Sequence, residues 1–161
     1  MSAPRQPYSP AELLPQVALD DTQRLACLRL IRSENVGPVT WRELINLYGG
    51  ATAALEALPE LSRRGGRGKP LRICPRDKAE AELEAARKIG ARPLFTIEPG
   101  YPPALAFIEH PPPLLYVKGR PELFRRAAVG IVGSREASAH GMSFAREMAG
   151  KLGTAGLLVV S

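Results

Sequence analysis

Residues 127–138 decide the fold, and they read Ala-Ala-Val-Gly-Ile-Val-Gly-Ser-Arg-Glu-Ala-Ser. Ala127–Val132 is apolar apart from one glycine, which is typical of a strand buried on both faces of a parallel sheet. Gly133-Ser134-Arg135 then predicts a turn, and Ser138 can cap a helix that fills Gly141–Leu152. The stretch therefore predicts a strand, a phosphate-sized loop and a helix in direct succession.

A second apolar run, Leu157–Val160, follows the helix and completes a strand–helix–strand unit. Phe144, Met148 and Leu152 are four residues apart, so we expect them on one face of the helix. Four apolar residues in a row need cover on both faces, so we expect this strand to lie in a parallel sheet. The 161 residues are then expected to be part of a longer polypeptide, and the Rossmann-like sheet to be incomplete on its C-terminal side.

The loop between strand and helix is the candidate ligand site, because open α/β sheets bind ligands at the carboxyl ends of their strands. Gly133 lets the backbone approach a ligand, and Ser134 and Ser138 offer hydroxyls beside the first amides of a helix. Arg135 can grip phosphate or stack on a base. A nucleotide site would use similar chemistry, although neither Gly-X-Gly-X-X-Gly nor a Walker loop occurs. A plain glycine turn with a surface arginine is the third interpretation.

The N-terminal third predicts a flexible, proline-rich leader at 1–19 and a small helical domain at 20–61. Asp20 and Asp21 can cap a first helix that runs to Arg32. A second helix is expected to begin with Thr40 as its cap, and a third to end at Pro59.

The connection between the first two helices is Val36-Gly37-Pro38, which resembles helix-hairpin-helix and SAM-like modules. A glycine turn there lets amides approach a phosphate. Any small helical hairpin can also use Gly-Pro as a connector.

Positive charge is concentrated after this domain. Residues 62–78 contain seven basic residues and one acidic residue, which accounts for the whole net charge of +6. Concentrated positive charge attracts polyanions by counterion release. We therefore expect 62–76 to be a basic, Gly-rich linker with auxiliary DNA-binding residues, or else only a solvated connector. The auxiliary candidates are Arg63, Arg64, Arg67 and Lys69.

The segment 77–161 is expected to form the Rossmann-like domain. Asp77 should cap a helix that ends at Gly90, and strands are expected over Pro93–Ile97 and Leu114–Val117.

Other classes of protein receive little support from the composition. Cys27 and Cys74 are too few for a disulfide framework or a metal clip, so we expect reduced thiols, no metal and no cofactor. No apolar run is long enough to cross a membrane, and no secretion signal is recognised at the start, so we expect a cytoplasmic protein. His140 is expected to be a helix-surface residue, and His110, beside three prolines, is a poor candidate for chemistry.

Three motifs carry a family resemblance. They are Tyr101-Pro102 with Leu105, Pro112 and Leu115–Gly119; Val129–Ser138; and Gly156–Ser161. Together they resemble the bacterial DNA-processing protein A (DprA/Smf) family, strongly over Tyr101–Ser161 and more loosely over Leu25–Leu58.

The resemblance implies a SAM-like domain followed by a Rossmann-like domain that binds single-stranded DNA. It also implies a homodimer, no catalytic residues, and delivery of protected DNA to the RecA recombinase in natural transformation. By position, Gly133, Ser134, Arg135 and Ser138 would bind the DNA phosphates. His140 stands where many members have tyrosine, which leaves the role of that position open.

Two other functions are consistent with the sequence. A phosphoribohydrolase-like enzyme on a related scaffold would need a carboxylate near the ribose, and Glu136 and Glu147 are the acids closest to the loop. A module that binds only a protein partner would have no affinity for DNA.

Overall fold

The computed structural model describes residues 17–64 and 71–161, with the side chain of Arg64 left out. The chain forms two compact units, Met1–Pro121 and Glu122–Ser161. Most of the predicted leader lies outside the described residues. At its end, the Val17 amide donates to the Ile97 carbonyl at 2.8 Å and Leu19 is buried in the core, so the chain is already attached before Asp20.

Three helices open the first unit: α1 at Asp21–Ile31, α2 at Pro38–Tyr48 and α3 at Ala51–Arg64. The predicted cap of α1 is confirmed, because the Asp20 carboxylate accepts the Gln23 amide at 2.8 Å in a complete capping box.

Two predicted helix boundaries are wrong. Helix α2 begins at Pro38 rather than after Thr40, because proline needs no amide partner at the first helical position and its ring presets φ. Helix α3 continues through Pro59 to Arg64. Leu58 and Ser62 are both buried, so packing along this face holds the helix together beyond the proline.

One hydrophobic core joins these helices to the elements that follow them. The rings of Trp41 and Phe95 stack with centroids 6.3 Å apart and planes 11° from parallel. The Trp41 indole N–H also donates to the Cys27 carbonyl at 3.3 Å, which satisfies its one polar group. Phe95 and Ile97 therefore complete the core of the helical bundle. The two compact units divide between Pro121 and Glu122, whereas the expected domains are 20–61 and 77–161. Those domain ranges stay a prediction.

The segment expected to be a flexible linker, 62–76, is ordered wherever the structure describes it. Residues 62–64 end α3, and Leu71–Pro75 lies against the end of α1. The Glu34 amide donates to the Arg72 carbonyl at 3.0 Å, and the Cys74 amide donates to Ser33 Oγ at 3.1 Å. Residues 65–70 lie outside the described part of the chain.

Helix α4 spans Arg76–Lys88, and its cap position is Pro75, with Asp77 in the first turn rather than at the cap. Strand β1 (Ala91–Phe95) and strand β2 (Leu114–Lys118) pair antiparallel, with Pro93 opposite Tyr116. These two strands do not belong to the parallel pair described below, so the expectation of a single parallel sheet is wrong for them. A short helix, α5 (Pro103–Ala106), lies between them in the chain.

A buried carboxylate fixes the turn after β1. The side chain of Glu98 is 5% exposed, and its Oε1 accepts from Arg24 Nη2 at 2.8 Å and Nε at 3.0 Å. Its other oxygen accepts the Phe95 amide at 3.0 Å. The hydrogen-bonded Glu98 carboxylate raises the pKa of the Arg24 guanidinium, against the effect of partial burial. The pair therefore links α1 to the end of the strand that carries Phe95.

The second unit contains a 3-10 helix at Pro121–Arg125, strand β3 (Ala128–Gly130), helix α6 (Ala139–Thr154) and strand β4 (Leu158–Val160). Strands β3 and β4 pair in parallel through the α6 crossover, which confirms the predicted strand–helix–strand unit. With the helical domain before it, this α/β region has the fold class expected, consistent with part of a Rossmann-like domain.

The packing of α6 differs from the expected pattern. Ala145, Ala149 and Leu152 are partly buried, whereas Phe144 is 59% and Met148 37% exposed. The small side chains of Ala145 and Ala149 let α6 approach the strands closely. Phe144 and Met148 therefore lie beside the helix face that contacts the strands, and not within it. Strand β4 is partly covered and is not enclosed by the rest of the described chain. No helix in the described ranges is long and apolar enough to span a membrane.

We predict that Arg24→Ala will destabilise the first unit by about 2–4 kcal/mol, because it leaves the buried Glu98 carboxylate without its cation. The measurement is urea unfolding of the full chain at pH 7. Arg87→Ala is the control, since Arg87 pairs with Glu84 on the exposed surface of α4 and should leave the midpoint almost unchanged. Equal midpoints for the two variants would contradict the role given to Glu98.

Candidate nucleic-acid interface

The predicted loop lies at the carboxyl end of β3, where a parallel sheet presents its ligands. The Ile131 amide donates to the Val160 carbonyl at 2.8 Å, which is the last ladder bond before the chain leaves the sheet. Every residue from Val132 to His140 is exposed, and Val132 is 95% exposed. The structure thus brings Gly133, Ser134, Arg135 and Ser138 together in one solvent-facing segment of the second unit.

Two serine side chains shape this segment. Ser134 Oγ accepts the Glu136 amide at 3.2 Å, which closes a turn at the tip of the loop. Ser138 Oγ accepts the Gly141 amide at 3.1 Å, which confirms Ser138 as the cap of α6. Each hydroxyl oxygen is therefore engaged by the protein, while each O–H proton is available to an incoming phosphate oxygen.

The amides of Ala139 and His140, at the start of α6, are two further donors. The next two amides are already engaged, because Gly141 donates to the Ser138 side chain and Met142 donates to the Ser138 carbonyl. The amides of Ala139 and His140 belong to the first turn and have no acceptor within the helix. They lie at the positive end of the dipole of a 16-residue helix, which favours an anion.

Arg135 is the one strong cation within the loop between β3 and α6. It is exposed, and it makes no ion pair or side-chain hydrogen bond with any residue that the structure describes. An unpaired guanidinium remains free to form charge-assisted bonds with phosphate.

Gly133 is not required by the packing of the protein itself. A Cβ built at this position would meet no atom within 4 Å, and φ does not lie in the left-handed region. The fold therefore leaves open space at this point, and only an external ligand would be obstructed by a larger side chain.

The acids considered for catalysis do not form a pair at the loop. Glu136 lies in the turn, whereas Glu147 bonds to Lys151 at 2.6 Å within α6. Eight residues separate Glu147 from Ala139, which is about 12 Å along the helix axis.

The thiols are equally unsuited to nucleophilic chemistry. Burial raises the pKa of Cys27 to about 12, with a further increase from Glu98, and burial also raises the pKa of Cys74. No group of three metal-binding side chains occurs among residues 17–64 and 71–161.

The auxiliary basic candidates lie in the first unit where they are described. Arg63 is exposed and pairs with Glu60 at 2.6 Å on α3. The side chain of Arg64 is left out of the description, and Arg67 and Lys69 lie outside it altogether. Sequence reasoning missed Arg72 and Lys78 as candidates, although both lie in the basic segment, because it treated that segment as a linker rather than as a surface.

Comparison with protein families places these observations in a class. The DprA-like N-terminal HHH domain matches residues 21–85, which hold α1 to α3 and most of α4. The description of the second match, over residues 92–161, is DNA recombination-mediator protein A. No curated protein matches the chain.

The two matches together define a DNA-processing protein with a helical domain ahead of an α/β domain. The chain belongs to the DNA-processing protein A (DprA/Smf) family, as the sequence motifs predicted. Its role is therefore in DNA recombination or processing, and the description of the second match is that of a recombination mediator.

We predict that Ser138→Ala will cost about 1 kcal/mol, because the Gly141 amide loses its cap. Ser138→Asp should retain that stability, since aspartate caps helices as well as serine does. Urea unfolding followed by helix circular dichroism measures both, with Ser143→Ala on the exposed face of α6 as the control. A loss for Ser138→Ala no larger than that of the control would show that the cap is not formed.

Proposed function

We propose that this protein binds single-stranded DNA at the loop between β3 and α6, with Gly133, Ser134, Arg135 and Ser138 as the contact residues. The observation that carries the proposal is the exposed, unpaired Arg135 beside free helix amides, in a chain that belongs to a DNA-recombination family. In this account the protein protects incoming DNA and helps to load the RecA recombinase in natural transformation.

The chemistry of the loop suits a phosphodiester. Amide donors from Ala139 and His140 and the Ser134 hydroxyl can bond the non-bridging oxygens, while Arg135 supplies the charge. Because Gly133 leaves open space beside the backbone, a phosphate can approach without meeting a Cβ. We expect this site to bind the phosphodiester without cleaving it.

Single strands fit this loop better than duplexes for two reasons. A single strand can bend its backbone into a short segment of loop and helix end, whereas a duplex presents its phosphates on a rigid cylinder. The planar Arg135 side chain can also stack on an unpaired base. A duplex offers neither the bendable backbone nor the unpaired base.

The further parts of the proposal concern assembly and location. We expect a homodimer and a contact with RecA, as the family resemblance implies, and a cytoplasmic site of action, which agrees with two isolated cysteines. The basic residues Arg63, Arg64, Arg67 and Lys69 would add sequence-independent attraction for phosphates.

We predict that Arg135→Ala will weaken binding of an oligo-dT strand by about 1.5–3 kcal/mol, because charge-assisted bonds to phosphate are lost. Fluorescence anisotropy with the full chain measures it. Arg146→Ala is the matched control, since Arg146 is also an exposed arginine of the second unit but lies on the side of α6, away from its start.

Three outcomes of this titration would reject the proposal. The first is no binding of oligo-dT by the wild-type chain at moderate salt. The second is equal losses for the two arginine variants, and the third is tighter binding of a duplex of the same sequence than of the single strand.

A further inference from the structure

The basic segment of the chain is anchored at one end, by Arg29 of α1 and by Ser33, which follows that helix. The Arg29 guanidinium donates to the Cys74 carbonyl at 3.0 Å, and the Ser33 hydroxyl donates to the Arg29 carbonyl at 2.7 Å. The Glu34 amide donates to the Arg72 carbonyl at 3.0 Å, and the Arg72 amide donates to the Glu34 carboxylate at 3.2 Å. The backbone that carries Arg72 is therefore held in a fixed position.

Lys78 lies on the same part of the surface. It is the third residue of α4, directly after the anchored segment. Burial raises the pKa of the Cys74 thiol, as does the Glu82 carboxylate, whereas the positive charges of Arg29, Lys78 and Arg32 lower it.

Two of the cations on this surface are uncommitted. Arg72 and Lys78 are exposed, and neither side chain forms an ion pair within the described ranges. The Arg72 amide and carbonyl make the contacts with Glu34, so its guanidinium is free to bind elsewhere. Arg32, by contrast, is held by Glu82 at 2.8 Å.

The acids of this surface offset only part of the charge of the basic segment. Glu82 is paired with Arg32, and Glu34 and Asp77 are the exposed carboxylates beside Arg72 and Lys78. Residues 62–78 together contain seven cations and one acid, so the segment that ends at Lys78 carries a net charge of +6. An excess of positive charge attracts a polyanion, whereas it does not attract a small neutral ligand.

We propose that Arg72 and Lys78, held in place by the Arg29–Cys74 anchor, form a second contact for the nucleic-acid backbone, separate from the Gly133–Arg135 loop. We call these two residues the docked strip. The contact is to phosphate and carries no base specificity, since lysine and arginine charges attract the backbone independently of sequence. This inference rests on the proposed function and assigns it a second surface, in the helical part of the protein.

The test is a salt series with the full chain and an oligo-dT strand long enough to reach both surfaces. The variant is Arg72→Gln with Lys78→Gln, which leaves the backbone anchor in place. The matched control is Lys88→Gln with Arg92→Gln, which also removes two exposed, unpaired cations of the first unit. An unfolding midpoint equal to that of the wild type shows that a variant is folded. If the Arg72→Gln, Lys78→Gln double variant does not fold, the salt series is measured with Lys78→Gln alone.

We expect the docked-strip variant to bind several-fold more weakly at low salt and to lower the slope of log affinity against log salt by about 1.4, for two phosphates on a single strand. The control should keep the wild-type slope. Equal slopes for the two double variants, with Arg135→Ala still impaired, would overturn the docked strip and leave the proposed function standing. Failure of the wild-type chain to bind DNA would instead overturn both.

Discussion

The stacking of Trp41 on Phe95 is the contact on which the first unit depends. Trp41 belongs to the second helix and Phe95 to the first strand, so this pair joins a helical bundle to an antiparallel strand pair across one core. A buried ring of this size contributes about 3–5 kcal/mol to stability. Glu98 then fixes the strand end by bonding both the Phe95 amide and Arg24. The same core includes Leu58 of helix α3, Cys74 just before helix α4 and Ala79 within that helix.

The second unit uses a different principle, since its loop is shaped by local hydrogen bonds rather than by burial. Ser134 and Ser138 bond amides two and three residues ahead, which sets the turn and the start of α6 before any ligand arrives. Preorganised donors lose little entropy when a phosphate binds. Arg135 is exposed and a Cβ at Gly133 would meet open space, so the proposed ligand could approach both residues.

Local signals in the sequence predicted the parts of the structure that local chemistry determines. The Asp20 and Ser138 caps, the parallel strands on either side of α6, and the exposed loop between β3 and α6 all follow from short motifs. Three features depended on distant contacts and were not predictable from those motifs: α3 passing through Pro59, the antiparallel pairing of β1 with β2, and the docking of Leu71–Pro75. The glycines at 65, 66 and 68 suggested a flexible linker, but the contacts made by Ser33 and Arg29 come from 40 or so residues away in the chain.

The most direct test of the central claim is an NMR titration of the amide-labelled full chain with oligo-dT. The account predicts the largest chemical-shift changes at Gly133, Arg135, Ala139 and His140, with the amides of the last two shifting downfield as they donate to phosphate. Smaller changes should appear at Arg72 and Lys78. Binding that leaves the four loop and helix amides unmoved, with shifts confined to the first unit, would contradict the assignment of the DNA site to this loop.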